Sequence, residues 1–539
     1  MKDNKKLVTW IAFAALLLIY LYFPTKNYFF DGIAFAQAIE DAPRLDTSLI
    51  HPNHLLYNVV GYLFYKLIQA VGVHLRAIQA LQVMDSILSV LCAYVFFRIL
   101  RLSLRSLYLC WTLTLLLAFS ATWWKFSTDA DAYVASVLFI LVSFYLLHPA
   151  QKPRPLLVAL AFSASMCFHQ LAVIFYPVIV LGLFLQTPSL PARRRILTIL
   201  QFSVAGFAVT CGAYYYCFYL STGTLSLGRF VHWITSFSPD ASFTFDAGSN
   251  LAHTLRGQVR LFFGGRFNLL KGLMNPLIIM LMAAMAASVA LLGWRILRSF
   301  KGLKFQRGQL LKYDPRSRSL MLLCTLWAFV YNAFLFFWLP FHTFYRLFYF
   351  PALLLLGGLA LAPYVQPDIN RRTYRAALLV AIIAISNFLF LIFPYAHAQK
   401  YPPLALALEM NQTWQRGTVV YYAATNADNA LFKYVNPSTL WKQMKPAEME
   451  VPESELQEIY SRGGMAWLEA SAIDRISSTP EGAAWLSAHA RAQTRRELND
   501  PAYNIKFIQI VPQARETSAI SSTPTISIRR GAEEDCREL

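Results

Sequence analysis

In an otherwise apolar chain, a few polar residues have types and spacings that can do chemistry. Asp31 lies in Lys26-Asn-Tyr-Phe-Phe-Asp-Gly-Ile33. A carboxylate set among aromatics at a membrane edge is partly desolvated, which raises its pKa and makes it a better general base. Ahead of Gly-Ile-Ala-Phe-Ala-Gln it equally suits a helix N-cap. Asp129 and Asp131 follow in Trp123-Trp-Lys-Phe-Ser-Thr-Asp-Ala-Asp-Ala-Tyr133. Carboxylates two apart can share a divalent cation or hold sugar hydroxyls, with Trp124 as a stacking surface; the plainer reading is a cap beneath a belt of interfacial aromatics. Arg346 stands alone in Phe341-His-Thr-Phe-Tyr-Arg-Leu-Phe-Tyr-Phe-Pro351, where its guanidinium fork matches a lipid phosphate or snorkels as an anchor. Arg256, Arg260, Arg266 and Lys271 can extend such a phosphate site or meet lipid headgroups. His51 and His54, in His51-Pro-Asn-His54, and His169, in Cys167-Phe-His-Gln170, are read as hydrogen-bonding residues rather than zinc ligands, since no acidic third ligand is near in sequence.

The elements that must position these groups are membrane helices. The 539 residues are 57% hydrophobic and 14% charged, against about 25% charged in a soluble domain. Apolar runs of about 17–25 residues are long enough to cross a bilayer as helices. That excludes a soluble enzyme, and the alternating segments of a membrane barrel are absent. The 48 Lys+Arg against 29 Asp+Glu cluster in short loops, as the positive-inside rule requires, so the basic charge does not indicate nucleic acid. The expected fold is an all-α polytopic membrane protein of about eleven spans, carrying a small extracytoplasmic α/β domain at its C-terminus. Spans are expected at 7–23, 81–100, 106–122, 132–148, 155–169, 171–186, 197–220, 275–294, 319–339, 344–363 and 375–394. Residues 1–400 form the membrane domain, with outer loops at 25–80 and 221–274. Leu55–Val71, interrupted by Asn58, Gly61, Lys66 and Gln69, is expected to lie in the interface. With the N-terminus inside, about twice as many basic residues fall on the cytoplasmic side as outside. Residues 401–515 read as the α/β domain, with a strand at Gly417–Ala423 and helices at Ser454–Tyr460 and Gly482–Arg496; 516–539 read as a disordered tail.

The order of features resembles a known family. An Asp just past the first span is followed by His51-Pro-Asn-His-Leu-Leu-Tyr57 opening a juxtamembrane helix, and then by Trp124 with Asp131-Ala132-Tyr133 after the third span. This is similar to the C-type glycosyltransferase superfamily of integral membrane enzymes that use polyprenyl-phosphate sugars, and most like its protein O-mannosyltransferase-like branch. The likeness covers about Met1–Val180 well, the later spans by layout, and the tail only in its being an extracytoplasmic domain. The sequence departs from the branch at Asp31-Gly-Ile and at His51-Pro52-Asn53, where the branch often has Ser-Gly-Glu after the acid and His-Pro-Pro.

The resemblance implies a glycosyltransferase. A polyprenyl-phosphate sugar would lie between helices, its phosphate held by Arg346 with Arg266 or Lys125. Asp31 would take the proton of an acceptor hydroxyl on a protein or glycan, which would attack the anomeric carbon and invert it. Asp129 and Asp131 would bind a metal, orient the acceptor or fix a basic residue; a metal-independent, cofactor-free site is favoured. His51, His54, Trp124, Tyr133, His169 and His342 would contact substrate. The expected setting is a bacterial inner membrane, with the N-terminus cytoplasmic and the C-terminal domain outside. The rival classes are a lipid or lipid-linked sugar transporter, which calls for carboxylates near the bilayer midplane, and an oligosaccharide polymerase or ligase. The one acidic residue placed for that is Asp85, near the start of the second span and near the outer surface, so the acidic residues crowd the outer face, which favours the enzyme.

Overall fold

The computed structural model describes residues 2–186, 191–236, 243–265, 314–362, 371–414, 416–424, 427–491, 494–498 and 505–513, with isolated positions between 276 and 298. The expected span 275–294 falls largely outside the described residues, and the tail 516–539 wholly so. The chain divides into two compact units: Met1–Glu409 with Ala427–Val435, and Met410–Asn426 with Asn436–Leu539.

The first unit is helical. After α1 (Lys2–Tyr22) come α2 (Phe30–Asp41), α3 (Tyr57–Ala70), α4 (Ala77–Ser103), α5 (Leu107–Phe119), α6 (Ala121–Ser127), α7 (Tyr133–Leu147), α8 (Pro155–Phe168), α9 (Tyr176–Gln186) and α10 (Ala192–Thr222). They are followed by α11 (Leu227–Thr235), α12 (Ala247–Phe262), α13 (Pro315–Phe337), α14 (Phe350–Leu361) and α15 (Arg371–Asn387). Ala77–Ser103, Ala192–Thr222, Pro315–Phe337 and Tyr374–Tyr395 are each long and apolar enough to cross a membrane. Shorter apolar helices occupy five more of the expected spans, at Lys6–Tyr22, Tyr133–Leu147, Pro155–Phe168, Gln170–Gln186 and Phe350–Leu361. The protein is thus a multi-pass helical membrane protein.

The expected straight span at 106–122 is broken. Ser120 adopts an extended conformation and its hydroxyl donates to Leu117 O (2.8 Å), so α5 stops and α6 departs at 65°. The bend swings Trp123–Ser127 out of line with α5, and the Thr122 hydroxyl anchors α6 by donating to Arg260 O of α12 (2.8 Å). The expected interfacial segment is the helix α3, which buries Tyr57, Asn58, Gly61 and Tyr62 against the protein and leaves Leu63 and Leu67 exposed. One apolar face inward and another outward is what a helix lying at a membrane surface requires.

The second unit carries a five-stranded sheet: β1 (Val419–Tyr422), β2 (Leu440–Gln443), β3 (Ala466–Glu469), β4 (Arg496–Glu497) and β5 (Lys506–Ile510), in the order β2-β1-β3-β5-β4. β1 runs parallel to β2 and β3, while β5 is antiparallel to β3 and β4. Val419, Tyr421, Leu468 and Ile510 point into one core with Leu456 and Ile476 from the covering helices. The helix expected to run from Gly482 to Arg496 is Pro480–His489; Ala490 turns extended to bridge Ile510, and Arg496 enters β4.

Candidate active site

The position of Asp31 is set by a junction between two stretches of irregular backbone. Thr25 N–H donates to Thr128 O (3.0 Å), and the Gln82 side-chain amide of α4 donates to both Thr25 O (2.7 Å) and Thr128 O (3.0 Å). Phe29 N–H donates to Asp129 Oδ2 (3.1 Å). These bonds fix the entry of α2, and Asp31 falls in its first turn. Phe29 holds the cap position, so the capping role open to Asp31 from sequence is not the one it takes. Burial pushes its carboxyl from the ordinary value up to about 7, because removing a carboxylate from water disfavours the charged form.

Asp31 lines a cavity of about 770 Å³. His51, Asn53, His54, Tyr133, His169 and Gln170 line it too, facing aromatic residues of the 334–345 segment that include Trp338, Phe344 and Tyr345. The rings form a continuous wall: His54 packs edge-on to His169 at 4.7 Å between centroids, Tyr133 meets His169 at 5.1 Å, and Tyr133 stacks on Phe344 at 5.1 Å. Leu171 N–H donates to His169 Nδ1 (3.0 Å), which leaves Nε2 as the protonated nitrogen of the neutral ring. Burial holds His51 at about 4, holds His54 well below the ordinary imidazole value with help from the neighbouring His169 and His51, and lowers His342.

A second cavity, of about 830 Å³, shares the residues Phe341, His342 and Phe344 with the first. Its polar lining is cationic: Lys125 from α6, and Arg256 and Arg260 from α12. Lys125 is ion-paired to Asp129 and sits over the Phe126 ring at 4.6 Å. Asn387 closes the far side. Its amide donates to Phe119 O (2.9 Å) and Phe262 O (2.7 Å), and its oxygen accepts from Gly264 N–H (3.1 Å). One buried side chain thereby ties α5, α12 and α15 around the cavity.

The remaining expected site residues are placed as follows. Asp129 is fully buried and engaged by Lys125, Phe29 N–H and Ala130 N–H. Burial raises its carboxyl, with Lys125 opposing the shift. Asp131 is also fully buried; Oδ1 accepts from Tyr133 N–H (3.3 Å), and Oδ2 has no partner among the described residues. Its carboxyl is pushed well up by burial and then by the charges of Asp31, Asp129 and Asp85. Neither Asp129 nor Asp131 lines either cavity. Among the described residues no group of His, Cys, Asp or Glu side chains is arranged to hold a metal ion. Arg346 is fully buried, donating to Pro340 O (2.7 Å) and the Tyr349 hydroxyl (3.1 Å) across the flank of Gly257, and it lines neither cavity. Trp124 is packed among Tyr20, Phe119 and Phe388, away from both cavities. Arg266 and Lys271 lie outside the described residues.

Asp85, set aside in sequence as a possible midplane carboxylate, proves to be part of the scaffold. Its Oδ2 accepts from the Tyr57 hydroxyl (2.7 Å) and from Asp131 N–H (2.8 Å). Only the rarity of a carboxylate inside an apolar run pointed to it. Asn387 and Gly32 carried no sequence signal of this kind.

No family model and no curated protein matches the sequence. Solved structures do. A crystal structure of ArnT from Cupriavidus metallidurans bound to undecaprenyl phosphate superposes with a TM-score of 0.56 at 11% identity, over 94% of this chain and 98% of that one. The apo form of the same protein gives 0.54 at 12%, over 96% and 100%. The chain therefore shares the fold of ArnT. Both units of the chain fall within the matched length, so the α/β unit is part of this likeness as well as the helices.

Proposed function

We propose that the protein is an integral membrane glycosyltransferase that moves a sugar from a polyprenyl-phosphate donor to a hydroxyl acceptor, with inversion. The observation that carries this reading is the pairing of cavities. Asp31, held near neutrality, lines one, and Lys125, Arg256 and Arg260 line the other, with Phe341, His342 and Phe344 common to both. An undecaprenyl phosphate complex of the structurally similar ArnT supports a lipid phosphate as the ligand class.

In this mechanism the donor phosphate sits against the cationic group and the acceptor hydroxyl against Asp31. The carboxylate accepts the hydroxyl proton while the oxygen bonds to the anomeric carbon and the bond from that carbon to the phosphate oxygen breaks. The electron pair leaves on the lipid phosphate, stabilised by fixed positive charge. Asp129 holds Lys125 in place and tethers Phe29, two residues from the base; it is a positioning residue. The His51-Pro and Asp131-Ala-Tyr133 motifs, through their likeness to the protein O-mannosyltransferase-like branch, support a hexosyl or pentosyl transfer to a hydroxyl on a protein or a glycan. The charge asymmetry of the loops supports a cytoplasmic N-terminus and a site at the outer face, and the short loops favour a bacterial inner membrane.

The test is transfer of label from a panel of polyprenyl-phosphate sugars to membrane acceptors, by wild type and by Asp31→Asn at matched expression. Transfer lost in the variant is expected. Transfer at an unchanged rate would remove Asp31 from the mechanism, and no transfer from any donor would remove the enzymatic reading.

A further inference from the structure

The two cavities differ in charge in a way that bears on the acceptor. Among the described residues Asp31 is the only charged side chain lining its cavity. The hydrogen-bonding groups beside it are His51, Asn53, His169 and Gln170, and burial keeps His51 and the neighbouring His54 and His342 uncharged at neutral pH. Facing them are the rings of Trp338, Phe344 and Tyr345. The cations that can answer a phosphate line the other cavity.

A phosphate or carboxylate group entering the Asp31 cavity would shed water with no cationic side chain in the described lining to replace it, and would force the half-ionised Asp31 to take up a proton. A pyranose is better matched. Its C–H face is apolar and suits an aromatic wall, and its hydroxyls suit neutral donors and acceptors. The volume of about 770 Å³ lies within the range of small-molecule sites.

We propose that the Asp31 cavity is a subsite for an uncharged sugar, so that the acceptor is a hydroxyl of a neutral glycan and not a phosphate or a uronate. The assignment of that sugar as acceptor rests on the glycosyltransferase reading; its binding does not. The full-length protein in lipid nanodiscs is titrated with methyl gluco-, galacto- and mannopyranosides and with the matching methyl uronosides, binding being read by saturation-transfer NMR. At least one neutral glycoside should bind about tenfold or more tightly than its uronoside at neutral pH. Trp338→Ala should weaken that binding, and Asn53→Lys should raise uronoside affinity to or above that of the neutral partner. Saturating undecaprenyl phosphate should leave neutral glycoside binding in place.

A uronoside that binds the wild type as well as its neutral partner overturns the proposal, as does the absence of binding by every neutral glycoside. Displacement of the glycoside by undecaprenyl phosphate would place the ring in the donor site and end the acceptor assignment. A protein that binds neutral glycosides yet transfers no sugar sinks the enzymatic reading alone. One that transfers sugar onto a phosphate or uronate acceptor sinks this inference alone.

Discussion

Gly32 packs directly against the backbone of Ala130, so closely that a Cβ on Gly32 would overlap the Ala130 carbonyl oxygen. That contact brings the turn bearing Asp31 up to the turn bearing Asp129 and Asp131. The Gly32 conformation is ordinary for a helix, so the need for glycine here is one of space and not of backbone freedom. Because the obstacle is backbone, the helix must shift to make room. Gly32→Ala is expected to cost about 1–3 kcal/mol of stability, the usual range for overpacking, and to reduce transfer more than the stability loss explains. Thermal unfolding and initial transfer rates on the same preparation check this. A variant as active as wild type would show that the close approach is not needed to aim Asp31.

With its carboxyl at about 7, Asp31 is half ionised near neutral pH and must be ionised to act as a base. The kcat/KM for transfer should therefore rise tenfold per pH unit below about 7 and level off above it. The stability sign runs the other way. A carboxyl raised in the folded state binds more protons folded than unfolded between its ordinary value and about 7, so its contribution to stability is lost as pH climbs through that window. Asp31→Asn removes the titration. The variant should be inactive at every pH and no less stable than wild type above pH 7, as read by thermal melts across the range. An inactive variant that melts earlier at high pH would instead give Asp31 a structural role.

Much of this site was legible in the sequence, because the signals were chemical and local. Asp31 after the first apolar run, the His51-Pro motif, Tyr133 and His169 all meet at one cavity. Most of the expected spans correspond to observed apolar helices, since a run of apolar residues long enough to cross a bilayer has few other stable conformations. What could not be read was how the chain bends and which polar groups the interior consumes. Ser120 looks ordinary in an apolar run yet breaks the span. Arg346 has the chemistry of a phosphate ligand, but its two terminal nitrogens donate to the Tyr349 hydroxyl and Pro340 O, and its buried Nε–H is without a partner among the described residues. Trp124 has the chemistry of a sugar platform and is used as packing. The Trp124 outcome depends on Tyr20 and Phe388, more than a hundred residues away in sequence; those of Ser120 and Arg346 turn on the local backbone at Leu117 and Pro340, whose conformation a residue motif does not record.

The placement of the cations separates two classes of arginine. Arg260 lines the cationic cavity; Arg346 is internal to the protein. Arg260→Ala should raise the KM for the lipid-phosphate donor by about tenfold, the value of one charge-assisted contact, with little change in melting temperature. Arg346→Met should do the opposite. It removes the donor to Pro340 O and the Tyr349 hydroxyl, so it should lower stability by about 1–3 kcal/mol and leave the donor KM within about twofold where the protein remains folded. Donor titrations of both variants decide the matter. A donor KM that moves with Arg346 and not with Arg260 would return the phosphate to the position expected from sequence.

Lys125 does two things at once, and a double substitution pulls them apart. It lines the cationic cavity, and it neutralises Asp129, whose side chain is fully buried while that of Lys125 is 13% exposed. Lys125→Met leaves a buried carboxylate without its counter-ion, which typically costs about 3–5 kcal/mol. Asp129 also holds Phe29 N–H, so the shift should reach the entry of α2 and disturb Asp31. Lys125→Met combined with Asp129→Asn removes both charges and keeps a side-chain oxygen for Phe29 N–H. The pair should regain most of the lost stability but not the activity, because the cavity still lacks its lysine. If the double variant recovers transfer together with stability, Lys125 serves only to neutralise Asp129, and the donor phosphate rests on Arg256 and Arg260 alone.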